Sequence, residues 1–275
     1  MMCAWEPLLA VLPEWLSREV DKYGYRELQE IRLRIGQTPE LVGNIHSLWL
    51  DRIISRDDLN FVINAASRYS PWSAATMENG YLTAPGGHRI GVCGEAVTKN
   101  GAMTGIRIVS SLCIRVAKDY TGISAGAAKL KGSVLLIGPP GSGKTTLLRD
   151  LTRMIAQGEA VGVVDERGEL FPQGIARGRR MDVLTGCSKS HGIEILLRTM
   201  GPSCIAVDEI TSEQDCSALI RAGWCGIRLL ATAHASSTAD LMQRTVYRPL
   251  VSSVLFDHIL VLGRDKSWRE EKIAI

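Results

Sequence analysis

Eight consecutive residues narrow the possible folds of this 275-residue chain more than any others. Gly138-Pro139-Pro140-Gly141-Ser142-Gly143-Lys144-Thr145 satisfies the Walker A pattern G-x-x-x-x-G-K-[ST] at every fixed position. The pattern has a mechanical meaning. Its glycines let backbone N–H groups curl around the β- and γ-phosphates of a nucleotide, and Lys144 adds a positive charge. Thr145 offers a hydroxyl to Mg²⁺, and the helix that follows points its N-terminal dipole at the anion. Such a loop needs a strand before it and a helix after it. Ser133-Val134-Leu135-Leu136-Ile137 is an apolar, β-rich run, and Thr146-Leu147-Leu148-Arg149-Asp150-Leu151 starts a helix. That context argues against a chance match in a glycine-rich turn. ATP and Mg²⁺ are the expected ligands of residues 138–145, with Thr146 beside them.

A second half of the site is expected further along. Cys204-Ile205-Ala206-Val207-Asp208-Glu209 is an apolar strand ending in two carboxylates, the Walker B pattern. Asp208 is suited to hold Mg²⁺ through its water shell, and Glu209 to orient or deprotonate an attacking water. A glutamate in that place favours hydrolysis over phosphoryl transfer to a small acceptor. The long interval between the two motifs leaves room for another strand, Val161-Gly162-Val163-Val164-Asp165, followed by Glu166-Arg167-Gly168-Glu169. Its charges fall at the carboxyl edge, where open α/β sheets bind ligands; a solvated charged loop is the other reading. In Leu229-Leu230-Ala231-Thr232-Ala233-His234, Thr232 and His234 are two apart and share one face of a strand. His234 is either a γ-phosphate sensor or a structural histidine, and spacing does not decide between them.

The pattern changes along the chain. From residue 133 onward, apolar strands at Ser133–Ile137, Ala160–Val164, Cys204–Val207 and Ile227–Thr232 alternate with helical segments, which predicts a largely parallel sheet covered on both faces. Residues 1–125 read differently, as a small α+β domain ahead of a P-loop domain at 126–275. Leu8–Val20 has helical spacing with a proline inside it, and Glu30–Ile35 alternates like a half-buried strand. Asp57–Ile63 opens an amphipathic helix capped by Ser55 or Asp57. Tyr81–Thr83, Arg89–Val92 and Cys113–Val116 are short strands with turn signals at Pro85-Gly86-Gly87 and Asn100-Gly101, which predicts an antiparallel sheet. The small residues of 121–128 mark the linker.

Composition excludes several classes. With 45% hydrophobic and 22% charged residues the chain buries a core, so it is not a disordered protein. The cysteines at 3, 93, 113, 187, 204, 216 and 225 form no C-x-x-C pair, which excludes a zinc ribbon and argues against a disulfide framework. No apolar run approaches the ~20 residues of a membrane span, and the amino terminus lacks the basic start of a secretory signal; a soluble, cytoplasmic protein is expected. A net charge of +3 does not identify a nucleic-acid binder. Arginine supplies 23 of the 32 basic residues. Arg177, Arg179 and Arg180 cluster after the acidic residues. They form a solvated basic loop, or one of them, Arg180, serves as an arginine finger supplied by a neighbouring subunit. Contact with nucleic acid is the least supported reading, because no aromatics are interleaved.

The four segments together, in this order and spacing, resemble the type II/IV secretion ATPases. Val164-Asp165-Glu166-Arg167-Gly168-Glu169, Asp182-Val183-Leu184-Thr185-Gly186-Cys187, Val207-Asp208-Glu209-Ile210, Ala231-Thr232-Ala233-His234 and Glu30-Ile31-Arg32-Leu33-Arg34 resemble, more closely, the stage III sporulation protein AA family. The resemblance runs from about residue 25 to 265. It implies a RecA-like P-loop NTPase core and an ATPase that is a homo-oligomer, a hexamer. Its place would be peripheral at the membrane, on the mother-cell side of a channel to the forespore, with integral-membrane channel proteins as partners. It also implies roles: Glu169 as the acidic-box glutamate, His234 as the histidine-box residue, and Arg115 as an arginine that the amino-terminal domain turns toward nucleotide. Walker B here reads Asp-Glu where many relatives have Gly-Glu, which makes metal ligation more conventional. Gly168 stands where serine is expected, and the four-cysteine metal module of pilus motors is absent. The expected function is Mg-dependent ATP hydrolysis that powers or gates a secretion-type channel. Two alternatives are a nucleotide-gated assembly scaffold with incidental hydrolysis and a nucleic-acid translocase.

Overall fold

Pro13 has no amide hydrogen to donate, and the first apolar stretch splits there into α1 (Trp5–Ala10) and α2 (Glu14–Tyr23). The computed structural model describes residues 3–67, 80–99, 102–172 and 174–272. It divides the chain into two units: Met1–Asp119 with Pro172–Ile175, and Tyr120–Phe171 with Ala176–Ile275.

The first unit is built on an antiparallel sheet of β1 (Leu28–Arg34), β2 (Glu40–Gly43), β3 (Ser47–Trp49), β4 (Tyr81–Ala84), β5 (His88–Lys99) and β6 (Ala102–Arg115), in the order β3-β2-β1-β6-β5-β4. Ile31 and Leu33 of β1 point into the core by simple alternation. Leu28 joins them, although it is three residues from Ile31, because the β1–β2 register shifts between Leu28 and Glu30. The helix α3 (Arg56–Ser67) starts at Ser55, which accepts from the Asp58 amide at 3.2 Å while Asp58 accepts from the Ser55 amide at 2.9 Å. Of the two expected caps, Ser55 is the one used. β5 and β6 extend well beyond the short runs legible in the sequence. Three register shifts along this pair break the apolar alternation that would have marked them. At one shift Gly94 packs so closely that a Cβ would lie 1.9 Å from the Ile108 carbonyl oxygen. The Asn100-Gly101 turn signal falls outside the described residues.

The second unit contains β7 (Val134–Ile137), α4 (Lys144–Ile155), β8 (Val161–Asp165), β9 (Met181–Thr185), α5 (Lys189–Thr199), β10 (Cys204–Val207) and α6 (Glu213–Trp224). It continues with β11 (Arg228–Ala233), α7 (Thr238–Gln243), α8 (Arg248–Ser252), β12 (His258–Leu262) and β13 (Trp268–Glu271). The strand order is β13-β12-β7-β11-β10-β8-β9. All pairs are parallel except β12–β13. β7, β8 and β10 are buried at every position, as strands covered on both faces must be. β9 is a strand beyond those the sequence predicts; it lies at the edge with none of its residues fully buried, and its sequence carries no apolar run. Residues 120–125 belong to this unit, six residues earlier than the linker composition places the division. Buried Asp150 of α4 explains why: it accepts from the Gly122 amide at 3.1 Å and from the Ser124 amide and hydroxyl at 2.8 Å.

His258 at the start of β12 gives this unit a pH-dependent tie. Its Nδ1 lies 2.7 Å from Glu270 Oε1 and its Nε2 2.8 Å from the Lys131 carbonyl oxygen, so both nitrogens donate when the ring is charged. The Glu270 bond raises the imidazole pKa above its ordinary value, with burial opposing and the Lys131 carbonyl adding to the rise. A raised pKa contributes stability that is complete below about pH 6.5 and fades as pH climbs through the raised value. The His258→Gln variant is therefore expected to lose melting temperature relative to the wild type at pH 5.5 and to converge on it by pH 8.5. Equal differences at both pH values would refute this.

Candidate functional site

β7 ends at Ile137 and the chain turns immediately into the 138–145 loop, which leads into α4. Gly143 sits at the N-cap with φ 94°, a left-handed conformation that suits glycine and lets the loop reverse into the helix. Gly138 has φ 158° and no room for a Cβ, which would meet both the Leu262 carbonyl oxygen and Ser142 Oγ at 2.7 Å. Pro139, Pro140 and Gly141 form the outer curve, closed by a hydrogen bond from the Ser142 amide to the Pro139 carbonyl oxygen at 3.2 Å. Lys144 Nζ turns back across the loop and donates to the Gly138 and Pro139 carbonyl oxygens at 2.9 and 3.0 Å. Burial lowers the Lys144 pKa from its ordinary value, while the charges of Asp208 and Glu209 oppose that shift. Thr146 lies in the first turn of α4 behind Thr145.

The parallel neighbours of β7 bring the other groups to the same edge. Asp208 follows β10, and its two oxygens are held by two hydroxyls: Thr145 Oγ1 donates at 2.8 Å and Thr232 Oγ1, from β11, at 2.6 Å. Burial pushes the Asp208 carboxyl up, and the two hydroxyl bonds pull the other way. Glu209 comes next, with φ 55°, an uncommon conformation for a side-chain-bearing residue; its amide donates to Thr232 Oγ1 at 2.7 Å. Thr232 thus holds Asp208 by its side chain and Glu209 by its backbone.

Sequence reasoning left His234 with two roles, and the structure joins it to the site. Its Nδ1 is 3.2 Å from Lys144 Nζ and its Nε2 is 3.2 Å from Glu209 Oε1. One tautomer serves both bonds: Nδ1 accepts from the ammonium and the Nε2 hydrogen goes to the carboxylate. The second oxygen of Glu209, Oε2, accepts from Arg167 Nη1 at 3.1 Å. A continuous path of Lys144, His234, Glu209 and Arg167 therefore crosses the carboxyl edge of β7, β11, β10 and β8.

The acidic turn after β8 exposes Glu166 and Arg167 but is anchored from within by a buried carboxylate. Asp165 is buried and accepts from the Glu169, Leu170 and Phe171 amides at 2.8, 2.9 and 2.8 Å. Burial pushes its carboxyl up, with those backbone bonds opposing. Arg149 of α4 donates to the Glu169 and Leu170 carbonyl oxygens at 2.8 and 2.5 Å. Glu169 is thereby fixed through its backbone behind the loop helix.

Two expected arginines make contacts of their own. Arg180 precedes β9, at the amino end of the strands, where its Nη1 donates to the Gly158 carbonyl oxygen at 2.8 Å and its own carbonyl accepts from the Val161 amide at 2.9 Å. In a parallel sheet that is the edge opposite the 138–145 loop, so Arg180 does not reach the loop of its own subunit. Arg115 ends β6 in the other unit, with its Nε 3.5 Å from Glu30 Oε1. Two participants carried no sequence signal of a role. Arg167 was legible only as part of a charged turn. Lys266, in the β12–β13 turn, donates to the Gly141 carbonyl oxygen, a contact made possible only because β12 pairs with β7.

The arrangement suits a polyphosphate with a divalent cation. Thr145 Oγ1 and the Asp208 carboxylate are hard oxygen donors within 2.8 Å of each other, the type Mg²⁺ takes alongside waters and phosphate oxygens. Such an ion would neutralise charge on the phosphates and on half-buried Asp208. Among the described residues no group of three or more His, Cys, Asp or Glu side chains forms a metal cluster, and all seven cysteines are free thiols. No helix among those residues is long and apolar enough to cross a membrane.

Comparison with known proteins agrees with the geometry. The family model described as sporulation stage III, protein AA, matches residues 8–272. Stage III sporulation protein AA of Bacillus subtilis (strain 168) is 34% identical, over 93% of this chain and 90% of that protein. Among solved structures, the Legionella pneumophila ATPase DotB superposes with a TM-score of 0.61 at 18% identity, over 94% of this chain and 79% of that one. The pilus retraction motor PilT, solved with bound ADP, gives 0.64 at 15% identity, over 95% and 78%. At these identities the likeness establishes the fold, a RecA-like P-loop core of the secretion-ATPase kind.

Proposed function

This chain belongs to the sporulation stage III protein AA family, and from that membership we propose that it hydrolyses ATP with Mg²⁺ to power or gate a membrane-associated, secretion-type channel between mother cell and forespore. The observation that carries the proposal is the convergence of three strand ends at the 138–145 loop: Thr145 and Asp208 as the cation pair, with Lys144, His234 and Glu209 in one hydrogen-bonded line. Lys144 binds the β- and γ-phosphates in place of the carbonyls it now holds. Glu209 receives the proton of the attacking water, and His234 stands between base and phosphate-binding lysine, where it reports on both. Glu169 supports the loop helix through Arg149. Arg180 acts across the boundary to another copy, in a ring-shaped homo-oligomer, a hexamer, and Arg115 is the arginine that the amino-terminal domain turns toward nucleotide. Integral-membrane channel proteins are the proposed partners and the mother-cell face of the membrane the proposed place.

The test is ATP turnover by the full chain with and without Mg²⁺, beside Lys144→Ala. Losing the ammonium removes charge-assisted bonds of about 1.5–3 kcal/mol, so ATP binding is expected to weaken roughly ten- to a hundred-fold and turnover to vanish into background. Equal, Mg²⁺-independent rates for both proteins would overturn the reading.

A further inference from the structure

We propose that Arg167 is a positioning residue for Glu209: together with His234 it clamps both carboxylate oxygens and fixes where that carboxylate faces before nucleotide arrives. The inference rests on the ATPase reading and adds a residue that lies in neither P-loop motif.

Three observations carry it. Glu209 accepts at Oε2 from Arg167 and at Oε1 from His234, and its amide is tied to Thr232, so side chain and backbone are both held. A glutamate left free to rotate would lose rotamer entropy each time it met the water, which slows the step it serves. Two donors on a carboxylate still leave acceptor positions for that water. Second, the turn that presents Arg167 is itself rigid. Asp165 accepts from three amides beyond it, and Glu166 on the other side is gripped by Lys189 of α5, a side chain only 7% exposed that also lies 3.9 Å from Asp215. Third, the Arg167–Glu209 pair is badly placed to serve stability. Their side chains are 57% and 35% exposed, and pairs so exposed contribute about 0–1 kcal/mol. A guanidinium fixed from behind and open in front, on the carboxylate that the hydrolysis reading uses as base, fits a role in orientation.

The experiment measures kcat and KM for ATP with the full chain and Mg²⁺, in wild type, Arg167→Ala, Arg167→Lys, Glu209→Gln and the Arg167→Ala/Glu209→Gln double variant, with melting temperatures alongside. Expected are a kcat about five-fold lower in Arg167→Ala at unchanged KM, partial recovery in Arg167→Lys, melting temperatures equal to wild type, and a double variant no slower than Glu209→Gln alone. Several results would overturn the proposal: an Arg167→Ala rate equal to or above wild type, a change confined to KM, a kcat loss that tracks a lower melting temperature in both arginine variants, or a double variant slower than Glu209→Gln by the full single-variant factor. A wild type that binds ATP but never turns it over would overturn the hydrolysis reading and this inference with it. An active wild type with an indifferent Arg167→Ala overturns the inference alone.

Discussion

Glu209→Gln is expected to bind ATP as the wild type does and to hydrolyse it about a hundred- to a thousand-fold more slowly, the range a general base commonly supplies. The substitution is close to isosteric. Glutamine keeps an oxygen that accepts from His234 or Arg167, and its backbone amide still reaches Thr232 Oγ1 at 2.7 Å. What it removes is the capacity to take a proton. Binding should survive because the groups proposed to meet phosphate and cation, Lys144, Thr145 and Asp208, are untouched. Titration with a fluorescent ATP analogue and a turnover assay give the two numbers. Turnover within three-fold of wild type would remove Glu209 from the chemistry. The same variant separates motor from scaffold. Spore formation at wild-type level with Glu209→Gln would mean that ATP binding suffices, whereas loss of spores with ATP binding intact would mean that hydrolysis itself is needed.

The second large effect is expected at Asp165→Ala. Three amides, two of them on buried Leu170 and Phe171, would lose a charged acceptor at once. A buried donor left unmade costs about 1–3 kcal/mol. Against this stands the relief of a carboxylate whose burial already pushes its pKa up. With that relief counted, a net loss of about 3 kcal/mol is reasonable, or roughly 10 °C in melting temperature for a unit of this size. Asp165→Asn retains one of the two accepting oxygens and should fall between. A melting temperature for Asp165→Ala within 2 °C of wild type, set as about the shift that a 1 kcal/mol change brings, would show that the turn does not depend on this carboxylate.

Asp165 also marks the limit of what was legible. Written in a row, Asp165-Glu166-Arg167-Gly168-Glu169 is a charged segment at a strand's end, and charge alone does not say which member turns inward. The fold answers by burial: Asp165 completes the last position of β8 and becomes a cap for its own turn, which frees Arg167 to face Glu209. The 138–145 loop was legible because its glycines, lysine and threonine are contiguous and its strand and helix adjoin it. His234 and Thr232 were legible as a pair sharing a face, but their partners follow two other strands, β7 and β10, and only strand order supplies those. Lys266 was invisible for the same reason, since it meets Gly141 across 125 positions of sequence. β9 and β12 escaped as well. One has no fully buried residue, and the other is five residues long and has no turn signal close before it.

The two margins of the larger sheet bear on how the protein behaves at high concentration. β13 closes one margin with Arg269, Glu270 and Glu271, charges that discourage a foreign strand from docking. β9 closes the other with Met181-Asp182-Val183-Leu184-Thr185, where Asp182 is the one charged residue and backbone groups on the outer side have no strand partner among the described residues. Precipitation during concentration or refolding therefore has a preferred seam, and it lies on the side of the sheet away from Lys266 and the loop it touches. A lysine introduced on the outer side of β9 addresses solubility at the margin farthest from Lys266.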